Sequence, residues 1–162
     1  MKKSLHLYRI NAKVMLIRFS VENFLSFSDR QKFSMLPGKG SLKAEHKTSR
    51  VNGISVLKTA VFFGANASGK SNLIKAIDFG RNLVLRGTGA EKPIDYQKFR
   101  LDSDSDKSDS RIEYEIQHRG KNYAYGFSFN NDLITEEWLY ETGVKKETKI
   151  FERSLSQKEV FD

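Results

Sequence analysis

The sequence predicts an α/β fold in which a strand, a glycine-rich loop and a helix are preceded by a β-hairpin and followed by an antiparallel meander. Three observations carry this. Ile54 to Phe63 is dense in β-branched and aromatic residues, as a buried strand requires. Ser71 to Leu85 repeats apolar residues at helical spacing through Leu73, Ile74, Ile77, Val84 and Leu85. Beyond residue 110, runs of alternating apolar character are separated by turn residues. The expected architecture is a mixed sheet around the central helix, with the meander as a second β layer.

Taken in order, residues 1–14 fit the strand scheme poorly, and Met15 reads as a natural start, so they are expected to be an extension. Met15 to Phe24 alternates apolar residues with Arg18, Ser20 and Glu22, the pattern of a half-buried strand. Leu25 to Asp29 supplies a turn, and Gln31 to Leu36 a return strand stopped by Pro37-Gly38. Residues 38–50 are polar and read as a loop. After the helix, Arg86-Gly87-Thr88-Gly89-Ala90 breaks the periodicity, and the Asp/Ser-rich run from Asp102 to Ser110 reads as a loop tip. Strands follow over Arg111 to His118, Asn122 to Phe129, Ile134 to Glu141 and Lys149 to Arg153, with turns at Gly120 and Asn130-Asn131-Asp132.

Between the predicted strand and helix lies Gly64-Ala65-Asn66-Ala67-Ser68-Gly69-Lys70-Ser71, a complete G-x-x-x-x-G-K-S pattern. Its chemistry follows from its residue types. Gly64 and Gly69 let the backbone curl so that successive N–H groups point inward at phosphate oxygens. The helix dipole adds partial positive charge at the same end. Lys70 suits the terminal phosphates and a catalytic role on them, and the Ser71 hydroxyl suits one position on Mg²⁺. The pattern in this context predicts a nucleoside triphosphate site with Mg²⁺.

Composition narrows the class. The chain has 162 residues, enough for one core, and no cysteine, which excludes disulfides and thiolate metal sites and suits the cytoplasm. No run approaches a membrane span and the basic N-terminus lacks an uninterrupted apolar region, so neither a membrane anchor nor a secretory signal is expected. The formal net charge is +8. Residues 1–50 hold 11 of the 28 Lys/Arg and three of the 20 acids (Glu22, Asp29, Glu45), so the whole excess lies there. Such a segment suits nucleic acid, and it equally suits a solvated basic surface.

Other constellations read more simply. Asp102, Asp104, Asp106, Ser108 and Glu113 have calcium-loop spacing, but Lys107 stands where glycine is needed and a strand follows where a helix should. His6, His46 and His118 share no ligand spacing. Tyr114, Tyr123, Tyr125, Phe127 and Phe129 recur with period two, as sheet core does. Trp138, beside Glu136-Glu137, reads as a packing anchor.

Three segments together resemble the N-terminal lobe of ABC-type ATPase heads of the RecF, SMC and OLD-like branch, especially bacterial AAA-family ATPases linked to phage defence, and the first two are specific. Leu16 to Phe27 is similar to that branch's opening strand with its "NF-x-SF" ending. Phe63 to Ile77 is similar to its "G-x-N-x-x-G-K-S-N-L-h-x-A-h" segment, including Asn66 and Asn72. The hairpin from Tyr114 to Phe129 with Ile134 to Leu139 is a weaker match to the sheet after the first helix.

The resemblance implies that Gly64 to Asn72 binds phosphate and Mg²⁺, and that Asn23, Phe24 and Ser26 line the nucleotide pocket. It implies a partner as well: a second ATPase head in a homodimer, acting with DNA or a nuclease in DNA repair or antiviral defence. It further implies that residues 15–162 are the N-terminal part of one head, because no late Asp-Glu strand, signature motif or certain Q-loop glutamine follows Ser71; Gln97 and Gln157 are the candidates. Such a fragment should hydrolyse ATP negligibly by itself. Two other readings stay open. One is a P-loop kinase or phosphotransferase, against which the basic hairpin and the meander count. The other is a non-catalytic fragment acting only as an interaction module.

Overall fold

In the computed structural model, residues 14–39, 44–88, 92–102 and 105–155 are described. The suggested extension 1–14 therefore lies, but for Val14, outside them. The chain forms β1 (Met15–Glu22), β2 (Gln31–Ser34), α1 (Lys70–Arg86), β3 (Ser110–His118), β4 (Lys121–Phe129), β5 (Ile134–Thr142) and β6 (Glu147–Ser154), with short 3₁₀ turns at Ala44–His46 and Ser105–Lys107. The strands make one six-stranded sheet in the order β2-β1-β3-β4-β5-β6, and every neighbouring pair is antiparallel.

The expectation of a mixed sheet with the meander as a separate layer is corrected here. β1 pairs directly with β3, joining the N-terminal hairpin to the meander in a single sheet. The cause is shared cover. Phe19 pairs with Tyr114 and Val21 with Ile112, so both halves present their apolar residues on one face. That face packs against α1 through Leu73, Ala76, Ile77, Phe79 and Leu83.

The second correction concerns Ile54 to Phe63. It is not a strand. Isolated bridges join Val51 to Ile54 and Lys47 to Leu57, and nothing from Lys58 to the loop is in a ladder. Val56 is fully buried, but Val61 and Phe63 are 69% and 91% exposed. β-rich composition favours a strand only when a neighbour accepts its backbone hydrogen bonds. Among the described residues none does so for 59–63, where the Phe62 ring packs on Phe33 of β2, centroids 5.0 Å apart, without backbone pairing.

Turn chemistry sets the hairpins. Arg119 and Gly120 both take positive φ (47° and 78°), the tight turn that suits right-twisted strands. Asn130 caps its turn with Oδ1, which accepts from the N–H groups of Asp132 and Leu133 at 2.9 and 3.1 Å. Residues 92–99 run beside α1 and complete the core. Ile94 is buried, and Tyr96 joins an aromatic cluster with Phe24, Phe79 and Phe129. The period-two aromatics of β3 and β4 divide as core residues do, Phe127 and Phe129 being buried. Tyr114 reaches α1, its hydroxyl donating to the Ile77 carbonyl at 2.8 Å. Trp138 lies on the opposite face, over Gly126, with the Arg111 guanidinium 4.1 Å from its ring centroid.

Candidate functional site

The glycine loop runs directly into α1. Gly69 takes φ 87° at the helix N-cap, and Ala67 sits at φ 62° before it. Two left-handed residues so close together turn the chain back on itself, the geometry that gathers N–H groups on the inside of a loop. Gly69 has no side chain to cap the helix, and the first turn contains no acidic residue. The N–H groups of Lys70, Ser71 and Asn72, which have no acceptor within the helix, are thus without a cap, the arrangement that suits an anion.

Lys70 reaches back into the curl. Its Nζ donates to the carbonyls of Gly64 and Ala65 at 2.7 and 2.6 Å and to Ser68 Oγ at 3.1 Å. The ammonium therefore stands inside the loop, where a phosphate would meet it. Room there is limited, since a Cβ on Gly64 would come within 2.9 Å of Ser68 Oγ. Gly64 leaves little space for a side chain, and Gly69 needs a left-handed backbone. Asn66 and Ser68 are exposed on the loop, and Ser71 is exposed on the first turn of α1.

The turn after β1 packs against this loop. Residues 23–28 form a tight double hydrogen-bonded turn: Asn23 N–H donates to Ser28 O at 3.0 Å, and Phe24 and Phe27 exchange bonds at 3.0 and 2.9 Å. Its tip carries Ser26, whose Oγ accepts from Asn72 Nδ2 at 3.0 Å. A Cβ on Gly69 would lie 3.3 Å from Ser26 Oγ and 3.7 Å from the Phe27 ring, so the turn abuts the loop's second glycine. Ser26 and Asn72 are thus brought to the loop.

Asn23 and Phe24 are placed differently. Asn23 is buried, with Nδ2 donating to the carbonyls of Ser105 and Ser108 at 2.7 and 2.9 Å and Oδ1 accepting from Phe99 N–H at 3.2 Å. Phe24 stacks in the core against Tyr96, with ring planes 4° apart. Both hold the turn in place from beneath. Phe27, the last residue of the NF-x-SF segment, packs on Gly69 as well, and its place in that segment is the signal for it. Gln97 contributes through its carbonyl, which accepts from Leu25 N–H at 2.8 Å. Gln157 lies outside the described residues.

Carboxylates near the meander are engaged elsewhere. Glu136 accepts from Ser128 Oγ at 3.1 Å and faces Arg111. Glu137 accepts from the Tyr125 hydroxyl at 2.6 Å and from Arg153 Nε at 2.7 Å. Glu113 pairs with Arg30 at 3.0 Å in mid-sheet, and Asp104 lies outside the described residues. Among the described residues no group of three His, Cys, Asp or Glu could hold a metal ion.

A curled loop with an internal lysine at a helix N-terminus defines a class: a nucleotide-binding, ATPase-like domain. The family is more specific. Residues 60–162 match the family described as "AAA domain, putative AbiEii toxin, Type IV TA system", and the chain belongs to that family. The match takes in the loop, α1 and the whole meander. No curated protein and no solved structure matches the chain. AAA domains generally use ATP and Mg²⁺. No helix among the described residues is long and apolar enough to cross a membrane.

Proposed function

We propose that the chain is the ATP-binding lobe of an ABC-type head of the RecF/SMC/OLD-like kind, in which Gly64 to Asn72 and Ser26 form the nucleotide site. The observation that carries this reading is Lys70 Nζ held inside the loop within 2.7 Å of the Gly64 carbonyl. Bound phosphate would replace those carbonyls as the partner of the ammonium. A phosphate oxygen is the stronger partner for a cation.

Mg-ATP, when bound, supplies the γ-phosphoryl group whose transfer to water is the reaction of an ATPase. The chain's own residues bind and orient. Loop N–H groups hold the phosphates, Lys70 stabilises charge on the terminal ones, and the Ser71 hydroxyl offers one oxygen to Mg²⁺. Ser26 and Asn72 brace the loop against the turn after β1.

A general base is not supplied by Glu136 or Glu137, both of which are held by neighbours on the sheet. In this reading residues 15–162 form the N-terminal part of one head. The exposed apolar side chains of Val61 and Phe63 beside the loop support this. The completed head would pair with a second one around ATP, in the cytoplasm, and couple that closure to DNA or a nuclease. The basic N-terminal third supports the nucleic-acid part.

Titration calorimetry with Mg-ATP tests the site. Wild type should bind, and Lys70→Ala should bind at least about tenfold more weakly, as loss of a charge-assisted contact requires. Equal isotherms for the two proteins would remove the loop from the nucleotide's path.

A further inference from the structure

The two ends of the sheet are unequal. β2 has four residues and is followed by Pro37, so it offers a short, blunted edge. β6 has eight, exposed over nearly their whole length, and no strand among the described residues pairs with its outer side. Ile150 and Phe151 at its centre are 50% and 38% exposed. A long edge with an apolar centre is a template for another strand.

A bulge gives this edge a distinctive pattern. Lys149 pairs with Tyr140 and Phe151 with Leu139, leaving Ile150 as the extra residue. In an unbroken strand, residues three apart face opposite sides of the sheet. Here Lys149 pairs with Tyr140 and Glu152 with Trp138, two positions on one face, so Lys149 and Glu152 share a face. Their side chains meet at 3.3 Å. Thr148 and Arg153, opposite Glu141 and Glu137, share the other face.

We infer that β6 is a self-complementary edge that pairs two copies of this chain antiparallel about a two-fold axis normal to the sheet. One register satisfies faces and charges together along the whole of β6. Lys149 stands opposite the partner's Glu152, and Glu152 opposite the partner's Lys149, on one face. Thr148 stands opposite Arg153 on the other. Ile150 meets the partner's Phe151 at the axis, and the two bulges face each other, so neither strand has an unmatched residue. Moving the register by two positions sets Glu147 against Glu152 and leaves Lys149 opposite Ile150, which like-charge repulsion disfavours. Pairing β6 with β2 of another copy would be head-to-tail and open-ended, whereas the two-fold closes. A single strand pair buries less than a standard interface, so the dimer is weak and depends on concentration. It uses a surface separate from the nucleotide loop and does not rest on the function proposed above.

Sedimentation equilibrium of the full chain, up to its solubility limit, tests this. Wild type should self-associate to a dimer, and Lys70→Ala should do so equally. Lys149→Glu and Glu152→Lys each place like charges opposite one another twice and should weaken association roughly tenfold or more. An equimolar mixture of K149E and E152K restores opposite charges at both positions and should form a heterodimer. The double variant K149E/E152K keeps every charge and should dimerise like wild type, which keeps the test open should either single variant fold poorly. A wild type that stays monomeric throughout overturns the proposal. So does a dimer that K149E and E152K leave unchanged.

Discussion

Asn72 donates from Nδ2 to Ser26 Oγ at 3.0 Å, across 46 positions of sequence. The bond joins the first turn of α1 to the tip of the turn that follows β1. The two segments that most resemble ATPase heads thus meet side by side in space, with Gly69 between them and the Phe27 ring behind. A turn built on the first strand thereby positions a loop more than forty residues away.

The Ser26–Asn72 pair is open to a double-mutant cycle. Ser26→Ala and Asn72→Ala should each destabilise the fold by only about 0.5–1 kcal/mol, since the pair is not deeply buried. The double variant should cost less than the sum, because the second substitution removes a partner already lost. Urea unfolding measures all three. Strict additivity would mean that the contact contributes nothing to the fold.

Asn23 predicts a larger effect. Its amide makes three hydrogen bonds to backbone groups of residues 99–108 while buried, and its backbone takes φ 48°. Asn23→Ala would remove all three bonds, leave Phe99 N–H without its acceptor and place alanine in the left-handed region, while Ser105 O still accepts from Ser108 N–H and Ser108 O from Lys98 Nζ. A loss of about 2 kcal/mol is expected, read as a lower urea midpoint. Asn23→Asp should be nearly as costly, since it keeps the acceptor for Phe99 N–H but replaces the donor with a charge facing two carbonyls.

How much of this was legible follows from which interactions are local. The helix was expected over Ser71 to Leu85 and spans Lys70–Arg86, and the meander strands fall within a residue or two of expectation. Periodicity and turn residues are carried by the segment itself. The stretch Ile54 to Phe63 failed because a strand is a property of two segments, and composition reveals only one. Asn23 and Ser26 look alike in sequence, two polar residues where the first strand gives way to a turn. Only the fold separates them: the asparagine's positive φ turns its amide under the sheet, and the serine stays at the tip beside Gly69.

Alkaline pH should unfold the protein through its tyrosines. Burial raises the Tyr114 phenol, and burial together with donation to the Glu137 carboxylate raises that of Tyr125. Both ionise near pH 10 in the unfolded chain. Stability is therefore intact below roughly pH 10 and falls above it, where the unfolded state sheds protons that the native state keeps. Tyr114→Phe should lower stability near neutrality by about 1 kcal/mol, for the lost bond to Ile77 O, yet flatten the decline above pH 10. Urea midpoints measured as a function of pH distinguish the two effects. An equally steep alkaline decline in the variant would show that Tyr114 does not drive it.

Gly80 offers the sharpest test of how α1 sits on the sheet. Glycine inside a helix is ordinarily a weakness, and replacing it with alanine gains about 1 kcal/mol. Here the helix is buried at that point, and an added Cβ would overlap the Tyr114 hydroxyl and lie 3.0 Å from Ile112 Cγ2. The hydroxyl cannot easily withdraw, because it is fixed to the Ile77 carbonyl. Overpacking of this kind costs about 1–3 kcal/mol and should outweigh the propensity gain, so Gly80→Ala is expected to destabilise. Tyr114→Phe removes the overlapping oxygen, and in that background Gly80→Ala should cost distinctly less. Thermal unfolding of the four proteins decides the matter: if Gly80→Ala alone raises Tm, the helix does not rest on Tyr114 as closely as described.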